Sequence, residues 1–482
     1  MTASPATVPP ARRGAAPPTA GYRERVGSLL AAGHRFAGLW VAPGGTGVRA
    51  LLAAPSGAVD QVVTAPVLAG TAPSVVDLAP AASWDEREAH DLHGVRFAGH
   101  EPLRDLVRHG ELAGWTVPVQ GDDAYQVAVG PIHAGVIESG HFRFHLVGDR
   151  ILHLDARLFH KHRGLERFAE GGDVAHGLAC VGRACAACAV TNGVAYALAA
   201  ERLQGLLTTA GLARVRTVLL ELERVWNHLN DVAAICAGVG LAAGNNRFSA
   251  LTDRVRRLVA GLTGHRFAFG AVQVGGSALS AGGDQVRALR ADLAALRREA
   301  EVSWRELVFT TSFAARLPDV GVVDADDARR LGTVGPAARA AGLADDVRAC
   351  SPDLAYDGFA PVRPERAAGD VQARFEQRGL ELWQSFDLLD QLLDRPLEPV
   401  RAEPGGPAAA PAKGLATALV ESPRGATACA VEWDGERLRR VRLRTGSYAN
   451  WPSVAFAASG NLLPDFPLIN KSFELCYACA DR

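Results

Sequence analysis

Arg183-Ala-Cys185-Ala-Ala-Cys188, in the middle of the chain, and Cys476-Tyr-Ala-Cys479-Ala-Asp-Arg482, at its end, each carry a Cys-x-x-Cys pair. Thiolate sulfur selects zinc, copper(I), iron-sulfur clusters or nickel, and the two-residue spacing lets both sulfurs of a pair face one ion. Four thiolates from two distant segments can therefore converge on one soft metal. On ligand type alone a structural zinc site is the first reading, but structural zinc usually closes a compact module with roughly 15–20 residues between its pairs. Here residues 189 to 475 intervene, so the ion has to sit between elements deep inside a large domain. That spacing argues against a zinc ribbon without naming the metal. Chain ends are normally frayed and exposed, so Cys479 serves as a ligand only if the last residues are buried.

Working outward, the chain has 482 residues, 48% of them hydrophobic, enough for two or three cores at about 150 residues each. Its 51 basic and 52 acidic side chains leave a formal charge of -1, so no global field draws it to nucleic acid or to an anionic membrane. No uninterrupted apolar run reaches the roughly 20 residues that span a bilayer, and Met1-Thr-Ala-Ser-Pro5 has neither the charged nor the apolar region of a signal peptide. The expected place is the cytoplasm, with contact to a membrane only through partners. Eight cysteines in a chain of this size fit a reducing compartment better than a disulfide scaffold. Outside the two pairs, Cys236, Cys350 and Cys429 are expected as small core residues, and Cys180 lies close to the first pair.

An α+β fold with three parts is expected. Residues 1–20, rich in Pro and Ala, are a disordered lead-in. Residues 21–118 form a small α+β domain, in which Phe36-Ala-Gly-Leu-Trp40 and Val48-Arg-Ala-Leu-Leu52 are short strands and Trp84-Asp-Glu-Arg-Glu-Ala-His-Asp-Leu-His-Gly94 is a charged segment near the end. Residues 119–482 form a large, mainly helical domain with short sheets. Strand-like alternation covers Gly130 to His145 and Arg150 to Asp155, and apolar residues at 3–4 spacing predict helices over Tyr196 to Leu207, Val215 to Ala237 and Gln285 to Leu307. By composition 401–414 is a flexible loop, followed by strands at Ala428 to Trp433 and Leu438 to Leu443.

From about residue 125 onward, in order, the chain resembles the large subunit of nickel-iron hydrogenases, most closely the energy-converting, membrane-associated group of formate hydrogenlyase type. The motifs are Ile137-Glu138-Ser-Gly-His141, His162-Arg163-Gly164-Leu165-Glu166, the first cysteine pair, Glu421-Ser422-Pro423-Arg424-Gly425, and Asp465-Phe-Pro-Leu-Ile-Asn-Lys-Ser-Phe473 leading into the second pair. Separately, residues 22–110 resemble a hydrophilic subunit of respiratory complex I through Trp84-Asp-Glu-Arg-Glu88 and Asp91-Leu-His-Gly94.

The resemblance implies that Cys185, Cys188, Cys476 and Cys479 bind nickel, with Cys188 and Cys479 bridging to an iron that carries carbon monoxide and two cyanides. It implies that Glu138 relays protons, as a buried carboxylate whose pKa is raised, and that Arg424 hangs over the open metal position, where a fixed planar cation shapes the pocket. Glu223 falls where relatives carry an acid near that arginine. Glu166 matches a ligand to a magnesium or iron ion in many relatives, an ion that an Arg482–carboxylate pair can replace, so Arg482 is expected to be buried against Glu166. His141, His160 and His162 are weaker ligand candidates. Departures from the family pattern stand at Ala186, Asn192 and Leu475. The implied partners are a small subunit holding the iron-sulfur clusters, placed near Arg183, membrane subunits, and maturation proteins; the implied place is the cytoplasmic face of a membrane. Two other readings stay open: a complex I-like subunit without the metal centre, acting in quinone binding or coupling, and a zinc-held scaffold.

Overall fold

The computed structural model describes residues 21–55, 60–133, 137–404 and 413–482. The lead-in at 1–20 and most of the loop expected at 401–414 lie outside the described residues. The architecture is α+β, as expected. Its N-terminal module starts with helix Tyr22–Ala31 and a consecutive antiparallel meander of Arg35–Val41, Gly47–Ala53 and Gln61–Pro66. Alternation along these strands buries Phe36, Leu39, Val48, Ala50 and Leu52 with Val26 and Leu29 of the helix, the usual reason that a half-covered sheet holds its register.

The charged segment is helix Ser83–His93, stopped by Gly94 in the left-handed region at φ 71, where glycine carries no Cβ penalty. Asp85, Glu86, Glu88 and Asp91 on it are all buried. Each has a partner. Glu86 meets His100 at 2.8 Å, Asp91 accepts from the backbone N–H groups of Leu106, Val107 and Arg108, and Asp85 and Glu88 reach across to Arg442. The helix is thus an inner wall between the two parts of the molecule.

The large domain has two further meanders, Tyr125–Val129, His141–Val147 and Arg150–Arg157, then Gly414–Ser422, Gly425–Trp433 and Leu438–Arg444. Of the stretch expected as strand from Gly130 to His145, the described residues are strand from His141 onward, and 134–136 lie outside the described residues. Gly130, at φ 83, and Pro131 end the preceding strand, because proline has no N–H for the ladder. Glu138, just before the strand that opens at His141, lies against the chain end, where its carboxylate meets the Ala478 N–H. Helix Ala210–Gly238 is buried on nearly every face and packs against Ala242–Thr263, Val371–Leu392 and Phe466–Phe473, while Ala189–Gln204 lies on the last meander. The buried charges Arg216, Glu221, Glu223, Arg224 and Asp231 of helix Ala210–Gly238 point into the core beside its apolar residues, and this helix is the axle around which the metal-site segments are hung. No single helix among the described residues is long and apolar enough to cross a membrane.

Candidate metal centre

Helix Val174–Gly182 ends at Arg183, and the chain bends by 116° into the next helical stretch. Cys185 and Cys188 sit in that bend, Cys185 just before and Cys188 at the end of the 3-10 turn that feeds helix Ala189–Gln204. At the other end of the chain, helix Phe466–Phe473 stops at Glu474, whose φ of 46 places a residue with a side chain in the left-handed region. This reversal costs on the order of 1 kcal/mol and is a position that glycine or asparagine usually takes. It turns Cys476 and Cys479 back toward the first pair, with the Cys476 N–H donating to Ser447 Oγ at 3.0 Å and Tyr477 packed edge-on against Trp451.

The four sulfurs of Cys185, Cys188, Cys476 and Cys479 lie within 4.8 Å of one another. All four are free thiols, three buried and Cys476 half-buried. Crowding makes them share protons: bonds from Cys185, Cys188 and Cys479 pull the Cys476 thiol down, while sulfur neighbours and burial push Cys188 up. A cation that replaces those protons relieves both strains. The donor set therefore fits one soft metal centre, and a cavity of about 290 Å³, bordered by Glu138, Asn227, Arg424, Glu474, Cys476 and Tyr477, opens beside it. Asn192, one turn beyond Cys188, is fully buried with neither amide atom partnered among the described residues. An orphaned amide there is a second sign that the site accommodates a polar group besides protein.

Arg424 stands in the hairpin turn Ser422-Pro-Arg-Gly425, 3% exposed. Its two Nη atoms grip Asp231 at 2.9 and 3.0 Å, and Nε donates to the Glu474 carbonyl at 2.5 Å. Asp231 is held in turn by Arg378 at 3.0 Å and faces His228, which reaches Glu381 at 3.2 Å. Burial pushes the Asp231 carboxyl up, but Arg424 and Arg378 outweigh it and hold the group below the ordinary carboxylate range. A guanidinium fixed on three sides cannot swing away from the sulfurs.

Glu223 is not the acid beside Arg424. It lies eight residues, or ~12 Å of helix rise, before Asp231 on the same helix, and it caps helix Ala189–Gln204 instead. Its carboxylate accepts from the Val190 and Thr191 N–H groups at 2.7 and 3.1 Å and from Thr191 Oγ1 at 2.6 Å. Burial raises its pKa to about 7 against the pull of those bonds. Glu138 departs from expectation differently. It is exposed rather than buried, yet its carboxylate accepts from the Ala478 N–H at 2.8 Å, between the two terminal cysteines. The sequence reading missed Asp231 and Glu474; burial lifts the Glu474 carboxyl to about 7 at the edge of the cavity.

Arg482 is buried, 2% exposed, but its main partner is Glu88 of the N-terminal module at 2.5 Å. Glu166 is the second contact at 3.4 Å and gives its other bonds to the Leu443 N–H and Arg442. Two guanidiniums thus flank the place where a cation was expected beside Glu166. His141, His160 and His162 stay apart from the sulfurs: His141 bonds the Gly130 carbonyl, His160 meets the His109 ring edge-on, and His162 bonds the Asp481 carbonyl. Cys236 and Cys429 are buried as expected, whereas Cys350 is exposed.

With this geometry in hand, comparison with known proteins is decisive. Over 447 residues the chain is 30% identical to formate hydrogenlyase subunit 5 of Escherichia coli, spanning 85% of this chain and 77% of that protein. The chain belongs to the hydrogenase large-subunit family. Membrane-bound hydrogenase subunit alpha of Pyrococcus furiosus is 29% identical over 376 residues, covering 74% of this chain and 87% of that protein. Residues 246–412 and 406–482 match the 49 kDa subunit of respiratory-chain NADH dehydrogenase, and residues 53–126 match its 30 kDa subunit. This hydrogenase large subunit is therefore a fusion of two complex I-like modules. Among solved structures, a chain of an archaeal membrane-bound sulfane sulfur reductase matches with a TM-score of 0.68 and 27% identity, over 76% of this chain and all of that one.

Proposed function

We propose that this chain is the catalytic subunit that interconverts molecular hydrogen with two protons and two electrons, its four thiolates holding nickel and an iron with carbon monoxide and cyanide ligands. The observation that carries the reading is the closure of four reduced cysteines from two distant segments into one group beside a fixed arginine. When bound, the centre supplies an open coordination position and the electron storage that splitting hydrogen needs. Arg424, locked by Asp231, keeps one cation at the cavity wall and excludes water from its place. Glu138 takes the proton: its carboxylate touches the backbone between Cys476 and Cys479 and faces solvent on its other side, so a proton received at the cavity leaves without crossing the core.

Electrons leave through a partner. The other cysteines do not gather into a group among the described residues, so the iron-sulfur clusters belong to a small subunit seated near exposed Arg183, and membrane subunits complete a complex on the cytoplasmic face. Maturation proteins install the metals. Beside Glu166, Arg482 and Arg442 supply the positive charge that a magnesium or iron ion supplies in relatives.

Metal analysis with infrared spectroscopy of the purified complex tests the reading. Nickel with iron, and sharp bands in the carbonyl and cyanide region, are expected; zinc alone points to a scaffold, and a metal-free protein to a complex I-like coupling subunit. Glu138→Gln keeps shape but cannot take a proton, so it retains nickel and iron while hydrogen/deuterium exchange falls by roughly 10²-fold or more. Normal exchange in that metal-replete variant removes Glu138 from the path.

A further inference from the structure

The seam between the N-terminal module and the large domain holds another cavity of about 290 Å³, away from the sulfurs. Trp84, Arg87 and Arg104 line it from the first module's side, and Arg157 and Phe456 from the other, with Trp115 over the top. Arg157 is 5% exposed, and its Nη2 is buried with no hydrogen-bond partner among the described residues. The Trp115 ring lies 4.9 Å from the guanidinium, and Asp105 and Asp91 attract it without forming an ion pair.

This is out of keeping with the rest of the molecule. Buried Arg216, Arg348, Arg378 and Arg442 each hold a carboxylate within 3.0 Å. Arg374 and Arg214, which do not, spend their N–H groups on carbonyls and a serine hydroxyl. Among the described residues, Arg157 has neither a carboxylate in ion-pair contact nor a hydrogen-bond partner for its buried Nη2. Beside it Arg87 donates to the Arg104 and Asp105 carbonyls and holds no carboxylate. Asp155 also lines the cavity, but His145, His153 and the Val117 N–H already claim it. The lining itself carries three guanidiniums and two carboxylates, Asp105 being the other acid, while Asp91 attracts Arg87 and Arg157 from outside it without an ion pair to either. Burial and mutual repulsion bring Arg87 down to about 10, and burial lowers Arg157 as well.

We propose that the seam cavity binds a small organic monoanion, a carboxylate on a flat apolar body, with the carboxylate paired to Arg157 and the body between Trp84, Trp115 and Phe456. A planar guanidinium pairs two-pronged with a carboxylate, and aromatic walls suit a flat body. The volume lies just under the roughly 300–1,000 Å³ that ligand sites span, which limits the ligand to a small one. Because the walls come from both modules, the anion also bridges them. The inference does not depend on the chemistry at the cysteines.

The test is titration calorimetry on the full chain in its complex, with 1-naphthoate as the probe, 1-naphthamide as the uncharged twin and inorganic phosphate as the charge-only control. Naphthoate is expected to bind saturably, with affinity lower by roughly ten-fold or more for the amide, for phosphate, and for naphthoate on Arg157→Met or on the half-exposed Arg104→Gln. Without ligand, Arg157→Met is expected to unfold no earlier than wild type, because it removes a buried charge that holds no carboxylate in ion-pair contact. Equal binding of acid and amide, no saturable binding of naphthoate, or unchanged naphthoate binding by Arg104→Gln and Arg157→Met overturns the proposal.

Discussion

Cys479→Ala is expected to leave a folded chain with no nickel and no detectable hydrogen turnover, and Cys185→Ala to do the same. The reason is geometric as much as chemical. The four sulfurs lie within 4.8 Å of one another, and the two pairs touch nowhere along the sequence, so no neighbouring thiol can move in as substitute. Cys180, the closest outside the group in sequence, is turned to His176 at 3.6 Å. Loss of one thiolate leaves a soft ion three-coordinate, and metal affinity drops because ligation and local folding are coupled. The fold itself has other supports: Tyr477 against Trp451 and the Asp481 carboxylate on the Phe159 and Lys161 N–H groups. Metal content by mass spectrometry, with circular dichroism as the folding control, reads the outcome. Full nickel and turnover in either variant contradicts a four-thiolate centre.

How much of the centre is legible in the sequence depends on what kind of residue carries the information. The cysteine pairs, Arg424 and Glu138 sit in compact motifs, and the structure brings all of them to one place. The helices expected at Tyr196–Leu207, Val215–Ala237 and Gln285–Leu307 appear as Ala189–Gln204, Ala210–Gly238 and Gly283–Val308, because their apolar spacing is long and regular. Asp231 was not legible. It and Glu223 stand on one helix face in similar polar surroundings, and only the axial position of the Arg424 turn decides which acid it meets. Helix Gly446–Ala458 was equally hidden, with Pro452 in its interior and buried polar residues such as Ser447, Asn450 and Ser453 that blur any apolar stripe. Tertiary hydrogen bonds hold it, from Asn450 to the Val334 and Arg424 carbonyls, and no local pattern announces bonds of that kind. The partner of Arg482 was hidden for the same reason, since Glu88 lies 394 residues away.

That distant pair gives the second large effect. Glu88 receives Arg442 at 2.6 Å and Arg482 at 2.5 Å, and all three are buried. Burial pushes the Glu88 carboxyl up, but Arg442 and Arg482 prevail and hold it well below the usual range. Glu88→Gln removes the charge and leaves the buried Arg442 and Arg482 with only Glu166 and an Asp85 already held by Arg444, a loss on the order of 3–5 kcal/mol. Because Arg482 lies three residues beyond Cys479, the loosened end is expected to release metal faster under chelator as well as to lower the unfolding midpoint. The pH dependence has a definite sign. A carboxylate depressed in the folded state stabilises fully above its unfolded pKa, about 4.3, and the stabilisation is lost as pH falls below that value. Wild type is therefore expected to keep its metal at neutral pH and lose it progressively in acid below about pH 4, whereas Glu88→Gln loses it readily at pH 7 and shows a shallower further loss on acidification. In a double-mutant cycle, Arg482→Gln added to Glu88→Gln is expected to cost less than it does alone. Additive effects, or a Glu88→Gln variant with wild-type metal retention, would mean that the first module does not clamp the chain end that carries Cys479.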